Sequence, residues 1–112
     1  MKPVVYWIKP LSVNEAWQGR RYKTKAYESY EKHLVYSLPD IEIPKAPFEI
    51  HYTFGMSNGA ADIDNPIKPL QDIIQKRYGI NDKDIHKIVV LKLKTKKGNE
   101  YISFKIMEYV KA

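Results

Sequence analysis

Apolar and polar residues alternate in several stretches of this chain, which is the pattern of half-buried β-strands. The alternating or apolar stretches are residues 4–8, 48–54, 85–95 and 101–107. In the third stretch Val89, Leu91 and Leu93 share one face, with lysines on the other. Gly98-Asn99 separates the last two stretches and is typical of a hairpin turn. We therefore expect four strands, of which the last two form a hairpin.

Two further stretches carry the three- and four-residue spacing of amphipathic helices. The first begins at Thr24 and is stopped by Pro39. The second follows Asn65, a good N-cap, with Pro66 in the first helical position and Gly79 placed to end the helix in the left-handed conformation. The two apolar stripes are Tyr27, Tyr30, Leu34 and Leu38, and Ile67, Leu70, Ile74 and Tyr78. Each helix is expected to bury one face.

These elements predict an α+β fold, with a small mixed β-sheet and two helices in the order β-α-β-α-β-β. The length of 112 residues suits one domain, and we assign residues 1–112 to it. Residues 11–23 are interpreted as a polar, aromatic and basic loop, and residues 55–61 as a second loop.

Composition narrows the function classes. The chain has 19 Lys and Arg against 13 Asp and Glu, which favours polyanionic partners such as nucleic acid, although many domains are mildly basic for solubility alone. The absence of cysteine excludes disulfides, thiolate zinc sites and a cysteine nucleophile, and it fits a reducing compartment. No stretch has the pattern of a signal peptide or a membrane span. We expect a cytoplasmic protein.

Acidic residues cluster around the second predicted helix. Asp62 and Asp64 precede it two residues apart, so in an extended segment they point to the same side. Two such carboxylates repel each other unless a cation lies between them, and oxygen-only ligands suit Mg²⁺ or Mn²⁺ rather than zinc. Lys68 and Asp72 follow at i, i+4 spacing on one helix face.

A third acidic pair, Asp82 and Asp84, follows the helix at the start of the next strand. We expect the helix to return to the neighbouring strand and to bring Asp82 near Asp62 and Asp64. Each position also has a structural alternative. Asp64 can supply negative charge at a helix N-terminus, the Lys–Asp pair in the helix can be an exposed surface pair, and Asp82 can serve turn chemistry.

The order of these residues resembles the signature of the RusA family of Holliday junction resolvases, found in bacteria and their prophages. That signature is Asp-x-Asp-Asn before a helix, a lysine four residues after the second Asp, and a further Asp in the loop after the helix. The matching positions are Asp62, Asp64, Asn65, Lys68 and Asp82, with Asp72 at an often acidic position of the helix. Ser12, Asn14 and the segment 22–24 leading into a helix are also similar. The resemblance covers nearly the whole chain.

Two positions depart from the family pattern. Family members often carry arginines directly before the first Asp, where this chain has residues 57–61, Ser-Asn-Gly-Ala-Ala. Asp84 stands where Gln is frequent, so the third metal ligand is either Asp82 or Asp84. We favour Asp82 because its distance from the following Ile fits the family register. Asp84, like Asn65 and Asp72, is assigned a supporting role.

The resemblance implies metal-assisted hydrolysis of branched DNA. In this interpretation Asp62, Asp64 and Asp82 hold Mg²⁺, with Mn²⁺ as an alternative, and Lys68 supports charge on the phosphate. It also implies products with 5′-phosphate and 3′-hydroxyl ends, and a homodimer that makes paired cuts in a four-way junction. Two alternatives stay open. One is a metal nuclease acting on flaps, forks or single strands, and the other is a non-catalytic protein that binds branched DNA.

Basic residues cluster around an aromatic residue in the first loop. The members of this cluster are Arg20, Arg21, Lys23 and Lys25, around Tyr22. The combination suits phosphate contact and base stacking, and the alternative is an ordinary solvated loop. We predict that the four basic residues contact DNA, and the family resemblance adds Asn14. His33, His51 and His86 lack mutual ligand spacing, and Trp7 and Trp17 are interpreted as packing residues.

Overall fold

Helices and strands follow one another along the chain in the manner of an α+β fold. The computed structural model describes residues 2–18 and 22–111. The elements are β1 (Val4–Tyr6), α1 (Val13–Ala16), β2 (Trp17–Gln18), β3 (Tyr22–Lys23), α2 (Lys25–Ser37), β4 (Phe48–Met56), α3 (Ile67–Tyr78), a 3₁₀ turn (Asp82–Asp84), β5 (Ile85–Lys94) and β6 (Tyr101–Glu108). The fold class expected from the sequence is confirmed. None of the described helices is long and apolar enough to cross a membrane.

Four strands form a mixed sheet in the order β1, β6, β4, β5. Strand β4 is parallel to β5 and antiparallel to β6, and β1 is antiparallel to β6. Helix α3 is the crossover connection that the parallel pair β4–β5 requires. A separate antiparallel ribbon joins β2 and β3.

The predicted hairpin between β5 and β6 is wrong, because these strands lie on opposite sides of β4. A turn does occur at Gly98, whose φ of 95° is left-handed, but the chain then crosses the end of β4. At this crossing the Thr95 N–H donates to the Met56 carbonyl at 2.9 Å. The Tyr101 ring lies over Gly55, where any side chain would collide with it. Gly55 therefore permits a crossing that a turn signal cannot distinguish from a hairpin.

One face of the sheet packs against α2 and α3 to form the core. The predicted stripe of α2 is confirmed, since all four of its members are buried. Helix α3 buries Leu70, Ile73 and Ile74, whereas Ile67 and Tyr78 are only half-buried. Alternate strand residues complete the core, namely Phe48, Ile50, Tyr52, Phe54, Ile102, Phe104 and Ile106. Each fully buried aliphatic side chain stabilises the fold by about 1.5–3 kcal/mol.

The helix ends follow the predicted signals with one exception. Thr24 is the N-cap of α2, and its hydroxyl accepts from a backbone N–H of the first turn at 3.1 Å. Gly79 ends α3 with a φ of 68°. Asn65 is not the N-cap of α3, because Pro66 takes that position without a side-chain cap. The Asn65 carbonyl instead accepts from the Val13 N–H at 2.8 Å, which ties α1 to the start of α3.

The segment expected to be a loop contains regular structure on both sides of residues 19–21. Helix α1 is held by a capping box, in which the Ser12 hydroxyl accepts from the Asn14 N–H at 3.1 Å. In return the Ser12 N–H donates to the Glu15 carboxylate at 3.4 Å. A helix of four residues is too short to show a helical period, so the pattern of apolar residues could not predict it.

The face of the sheet opposite α2 and α3 carries exposed apolar side chains. Val89, Leu91 and Leu93 share this face and are 41, 51 and 42 % exposed. Trp7, interpreted as a packing residue, contacts the Tyr101 ring edge-on but is 69 % exposed, so most of its ring is not packed. Trp17 does pack, edge-on against a tyrosine ring of α2. We refer to this surface as the open face of the sheet.

Candidate functional site around helix α3

The carboxylate of Asp82 turns back against α3. Gln71 and Gln75 each donate a side-chain N–H to its Oδ1, at 3.3 and 3.2 Å. The two glutamines are one turn apart, so they present their amides on the same side of the helix. Asn81 caps the 3₁₀ turn by accepting from the Lys83 N–H at 3.2 Å. The turn chemistry is thus performed by Asn81, and the carboxylate of Asp82 is left to contact the helix.

A buried tyrosine fixes the orientation of one of these glutamines. The Tyr52 hydroxyl donates to Gln71 Oε1 at 2.8 Å, and Tyr52 is only 1 % exposed. Burial raises the pKa of Tyr52 above its ordinary value, and the charges of Asp72 and Asp82 add to the rise. The phenol therefore stays protonated and acts as a donor. Because Tyr52 holds the oxygen of the Gln71 amide, the amide nitrogen points to Asp82.

Lys68 and Asp72 form the ion pair expected from their spacing. Lys68 Nζ lies 2.8 Å from Asp72 Oδ1. The hydrogen bond that Lys68 Nζ donates to Asp72 raises the pKa of Lys68, and the charge of Asp82 adds to this effect. Asp82, 14 positions further along the chain, is therefore within electrostatic reach of the lysine. The pair is partly exposed, and its own contribution to stability is at most a few tenths of a kcal/mol.

Asp62 and Asp64 lie in the turns that lead into α3, and both are exposed. Their backbone carbonyls accept from Asn65 N–H and Ile67 N–H at 3.3 and 3.2 Å. Lys92 on β5 holds the residue before Asp62, because its Nζ donates to the Ala61 carbonyl at 2.6 Å. The loop is therefore anchored at both ends while its two carboxylates face solvent.

The structure does not bring the three predicted metal ligands to one point. Among residues 2–18 and 22–111, no three Asp, Glu or His side chains lie close enough to share a cation. Asp62 and Asp64 precede α3. Asp82 follows the helix, and its carboxylate contacts residues in the middle of α3. The helix has 12 residues, which corresponds to a length of about 18 Å. The oxygen-only donor set suits Mg²⁺, but its members are arranged along the helix and not around one centre.

Asp82 and Asp84 differ in their surroundings, which bears on the choice between them. Asp82 is held against α3 by two amides. In the described part of the chain, the Asp84 side chain forms no hydrogen bond, and only its backbone N–H donates, to the Asn81 carbonyl at 3.0 Å. The difference favours Asp82 as the functional residue, and its role as a ligand stays a prediction.

The predicted DNA-binding residues have different environments. Lys23 forms an ion pair with Glu31 at 3.0 Å, so its charge is used inside the fold. Lys25 is exposed at the first position of α2. Asn14 is exposed beside the hydrogen bond that ties α1 to Asn65. The structure thus places one predicted contact, Asn14, next to the acidic loop.

The other two predicted DNA contacts, Arg20 and Arg21, lie outside the described residues.

Glu31 forms a second ion pair, with Lys76 of α3 at 3.1 Å. Burial raises the pKa of Glu31, but the hydrogen bonds from Lys23 and Lys76 outweigh it, and the net pKa is lowered. The cluster of Glu31 and its two lysines therefore joins β3, α2 and α3.

Sequence reasoning missed Tyr52, Gln71 and Gln75. The i, i+4 spacing of the two glutamines was a usable signal, because it places both amides on one side of α3. No comparable signal existed for Tyr52, whose contact with Gln71 depends on how α3 lies across β4. Its place in the alternating pattern predicted only that it is buried.

The chain matches no protein-family model, and no curated protein is significantly similar to it. The resemblance to the RusA signature therefore rests on the residues quoted for it, from Ser12 to Asp82, and not on a match to a known protein.

Proposed function

We propose that this protein is an Mg²⁺-dependent endonuclease that cuts branched DNA and resolves four-way junctions. The observation that carries the proposal is the position of Asp82, which is hydrogen-bonded to α3 and within electrostatic reach of Lys68. These residues occupy the positions that resemble the RusA signature. The net charge of +6 supports a polyanionic substrate.

Each residue has a role in this proposal. Asp62, Asp64 and Asp82 would hold Mg²⁺ or Mn²⁺, which requires Asp82 to approach the other two carboxylates when metal and DNA bind, and the bound ion would activate water and stabilise charge on the phosphate. Lys68 supplies positive charge toward the phosphate, since its pKa, ordinarily 10.5, is raised further by Asp72 and Asp82. Gln71 orients the carboxylate of Asp82. Products would carry 5′-phosphate and 3′-hydroxyl ends.

A second candidate is a non-catalytic protein that binds branched DNA. The observation that favours it is the spread of the three carboxylates along α3, with no three acidic or histidine side chains of the described residues grouped around one point. Under this alternative Asp62 and Asp64 are solvent-exposed loop residues. The two candidates differ in their metal requirement and in whether DNA is cut.

Incubation of the purified protein with a labelled four-way junction, with and without Mg²⁺, tests the proposal. We expect paired nicks only with metal, and no nicks from the Asp82→Asn variant, which should still shift the junction in a gel. Asp84→Asn is the matched control, because it removes the neighbouring charge and should retain activity. Flaps, forks and single strands at equal enzyme concentration test the substrate class. Junction binding without cutting under any of these conditions would favour the second candidate.

We also propose that the protein acts as a twofold homodimer in the cytoplasm of a bacterium, encoded by the host or by a prophage. One chain carries one set of acidic residues, whereas resolution of a junction needs two related cuts. Exposed apolar residues of the open face, such as Leu91 and Leu93, provide surface to bury. Light scattering at micromolar concentration should give about twice the chain mass of 13.1 kDa. A monomer that still makes paired nicks would overturn this assembly.

A further inference from the structure

An aromatic pocket lies at the end of the sheet where the chain crosses β4. The ring centroids of Trp7 and Tyr101 are 5.4 Å apart, with an angle of 64° between the rings. The cavity beside them has a volume of about 710 Å³. Its other lining residues are Thr95, Lys96, Gly98 and Asn99. This volume falls within the range of about 300–1,000 Å³ that is typical of small-molecule sites.

Trp7 contributes an aromatic surface that the fold does not use. It follows β1 directly and is 69 % exposed, although a tryptophan ring is among the largest apolar groups available to a core. Its one aromatic contact is the edge-on packing with Tyr101, in the part of the chain that the structure describes. Most of the indole is therefore accessible to a planar ligand.

Tyr101 is held in place before any ligand binds. Its ring lies against the backbone of Gly55, and a side chain at position 55 would also meet the methyl group of Thr95 at 2.9 Å. The ring is thus fixed from below by β4 and from the side by Trp7. A rigid aromatic surface loses little conformational freedom on binding, which favours affinity.

The pocket also offers polar groups suited to the edge of a base. Asn99 supplies an amide at the rim, and Lys96 supplies positive charge for a phosphate. The nearby carboxylate of Glu100 already accepts from Ser57 Oγ and from a backbone N–H of the turn, both at 2.7 Å. The acidic group is therefore engaged within the protein.

We propose that this pocket binds an unpaired nucleobase, stacked on the exposed face of Trp7 with the Tyr101 ring beside it. Every base has a π face, so an aromatic surface with an adjacent lysine suits single-stranded or unpaired DNA of any sequence. The inference rests on the proposed function, because bases at a branch point can lose their partners. Strand β4 ends beside the pocket and leads directly into the loop that carries Asp62 and Asp64. A strand whose base enters the pocket is thus brought to the end of the sheet from which the acidic loop departs.

Tryptophan fluorescence and DNA affinity test the proposal. In a Trp17→Phe background, Trp7 is the sole tryptophan, and its emission should be quenched by an oligo-thymidine strand. Trp7→Ala should weaken binding of that strand by about 5- to 100-fold, as expected for the loss of one base stack, while Trp7→Phe should restore part of the affinity. The slope of log affinity against log salt should not change, because no phosphate contact is lost.

Tyr36→Ala is the matched control, because Tyr36 is another exposed aromatic residue, on α2. If the wild type binds the strand and Trp7→Ala binds it equally well, the pocket inference is overturned while the proposed function stands. If the wild type binds neither this strand nor a four-way junction, both fail. If Trp7→Ala changes the mass measured by light scattering and weakens fully paired duplex as much as the single strand, the pocket is an interface between two chains and the inference is again overturned.

Discussion

Replacement of Tyr52 by Phe tests whether the buried hydroxyl positions Asp82. The substitution removes only the donor to Gln71, in a residue that is 1 % exposed, so the core packing is retained. A neutral hydrogen bond of this kind contributes about 1 kcal/mol. With an unfolding entropy of about 2.1 cal/mol/K per residue over 112 residues, this corresponds to a drop in Tm of about 4 °C.

The same change has a larger effect on metal binding if Asp82 is a ligand. Loss of a group that orients a ligand commonly lowers metal affinity by about 10- to 100-fold, and we expect Tyr52→Phe to weaken Mn²⁺ binding by that amount. Calorimetric titration with Mn²⁺ measures the affinity, and thermal unfolding measures the stability. Tyr36→Phe removes an exposed hydroxyl and should change neither.

Two further variants test separately whether Gln71 transmits the effect of Tyr52 and whether Asp82 is the metal ligand. Gln71→Leu removes both the acceptor for Tyr52 and one donor to Asp82, so adding Tyr52→Phe to it should cause little further loss of affinity. Asp82→Asn should abolish the effect altogether by removing the ligand. If Tyr52→Phe lowers the Tm but leaves Mn²⁺ affinity unchanged while Asp82→Asn weakens it, the ligand is correct and the positioning argument is refuted.

Three other predictions follow from the charges. Lys68→Ala should lower turnover by on the order of 100-fold with a modest loss of DNA binding, and an equal loss of both would make it an ordinary phosphate contact. Neutralising Arg20 and Arg21 together should reduce the salt slope of DNA affinity by roughly two phosphate contacts, and an unchanged slope means that they face away from DNA. The pKa of Glu31 is lowered in the fold, so its ion pairs stabilise the protein fully at pH values above its ordinary pKa of 4.5. This stabilisation is lost as the pH falls through the folded pKa. Glu31→Gln should therefore cost about 1 kcal/mol at pH 7 and progressively less as the pH falls below 4.5, with Glu28→Gln, exposed on the same helix, as the control.

The parts of the fold that the sequence predicted are those set by neighbouring residues. The alternation of residues 48–54, the stripe of α2, its Thr24 cap and the left-handed Gly79 each depend on a few consecutive positions. The hairpin failed because strand pairing depends on a distant contact. Gly55 gives the chain room to cross β4, and no residue near the turn records that.

In the candidate site, too, the contact set by neighbouring residues was predicted and the one set by strand direction was not. The Lys68–Asp72 pair followed from helical spacing and is present at 2.8 Å. The approach of Asp82 to Asp62 and Asp64 was inferred from a helix returning to a neighbouring strand, without regard to the direction of that strand. Because β4 and β5 are parallel, the residues that leave one and enter the other lie toward opposite ends of α3. Among the described residues of the helix, the two glutamines in its middle are the ones that form hydrogen bonds with the Asp82 carboxylate.

The hydrogen bonds around Asp82 do not require its side chain to be a carboxylate. Its two hydrogen-bond partners are amides, which the oxygen of an asparagine would satisfy equally well. The capping of the turn is performed by Asn81, so the turn does not require a second acidic residue. The negative charge at this position acts on Lys68, which already has Asp72 as its ion-pair partner. The hydrogen bonds account for an acceptor, and the charge has only the already paired Lys68 to act on, so a bound cation is the partner that we propose for it.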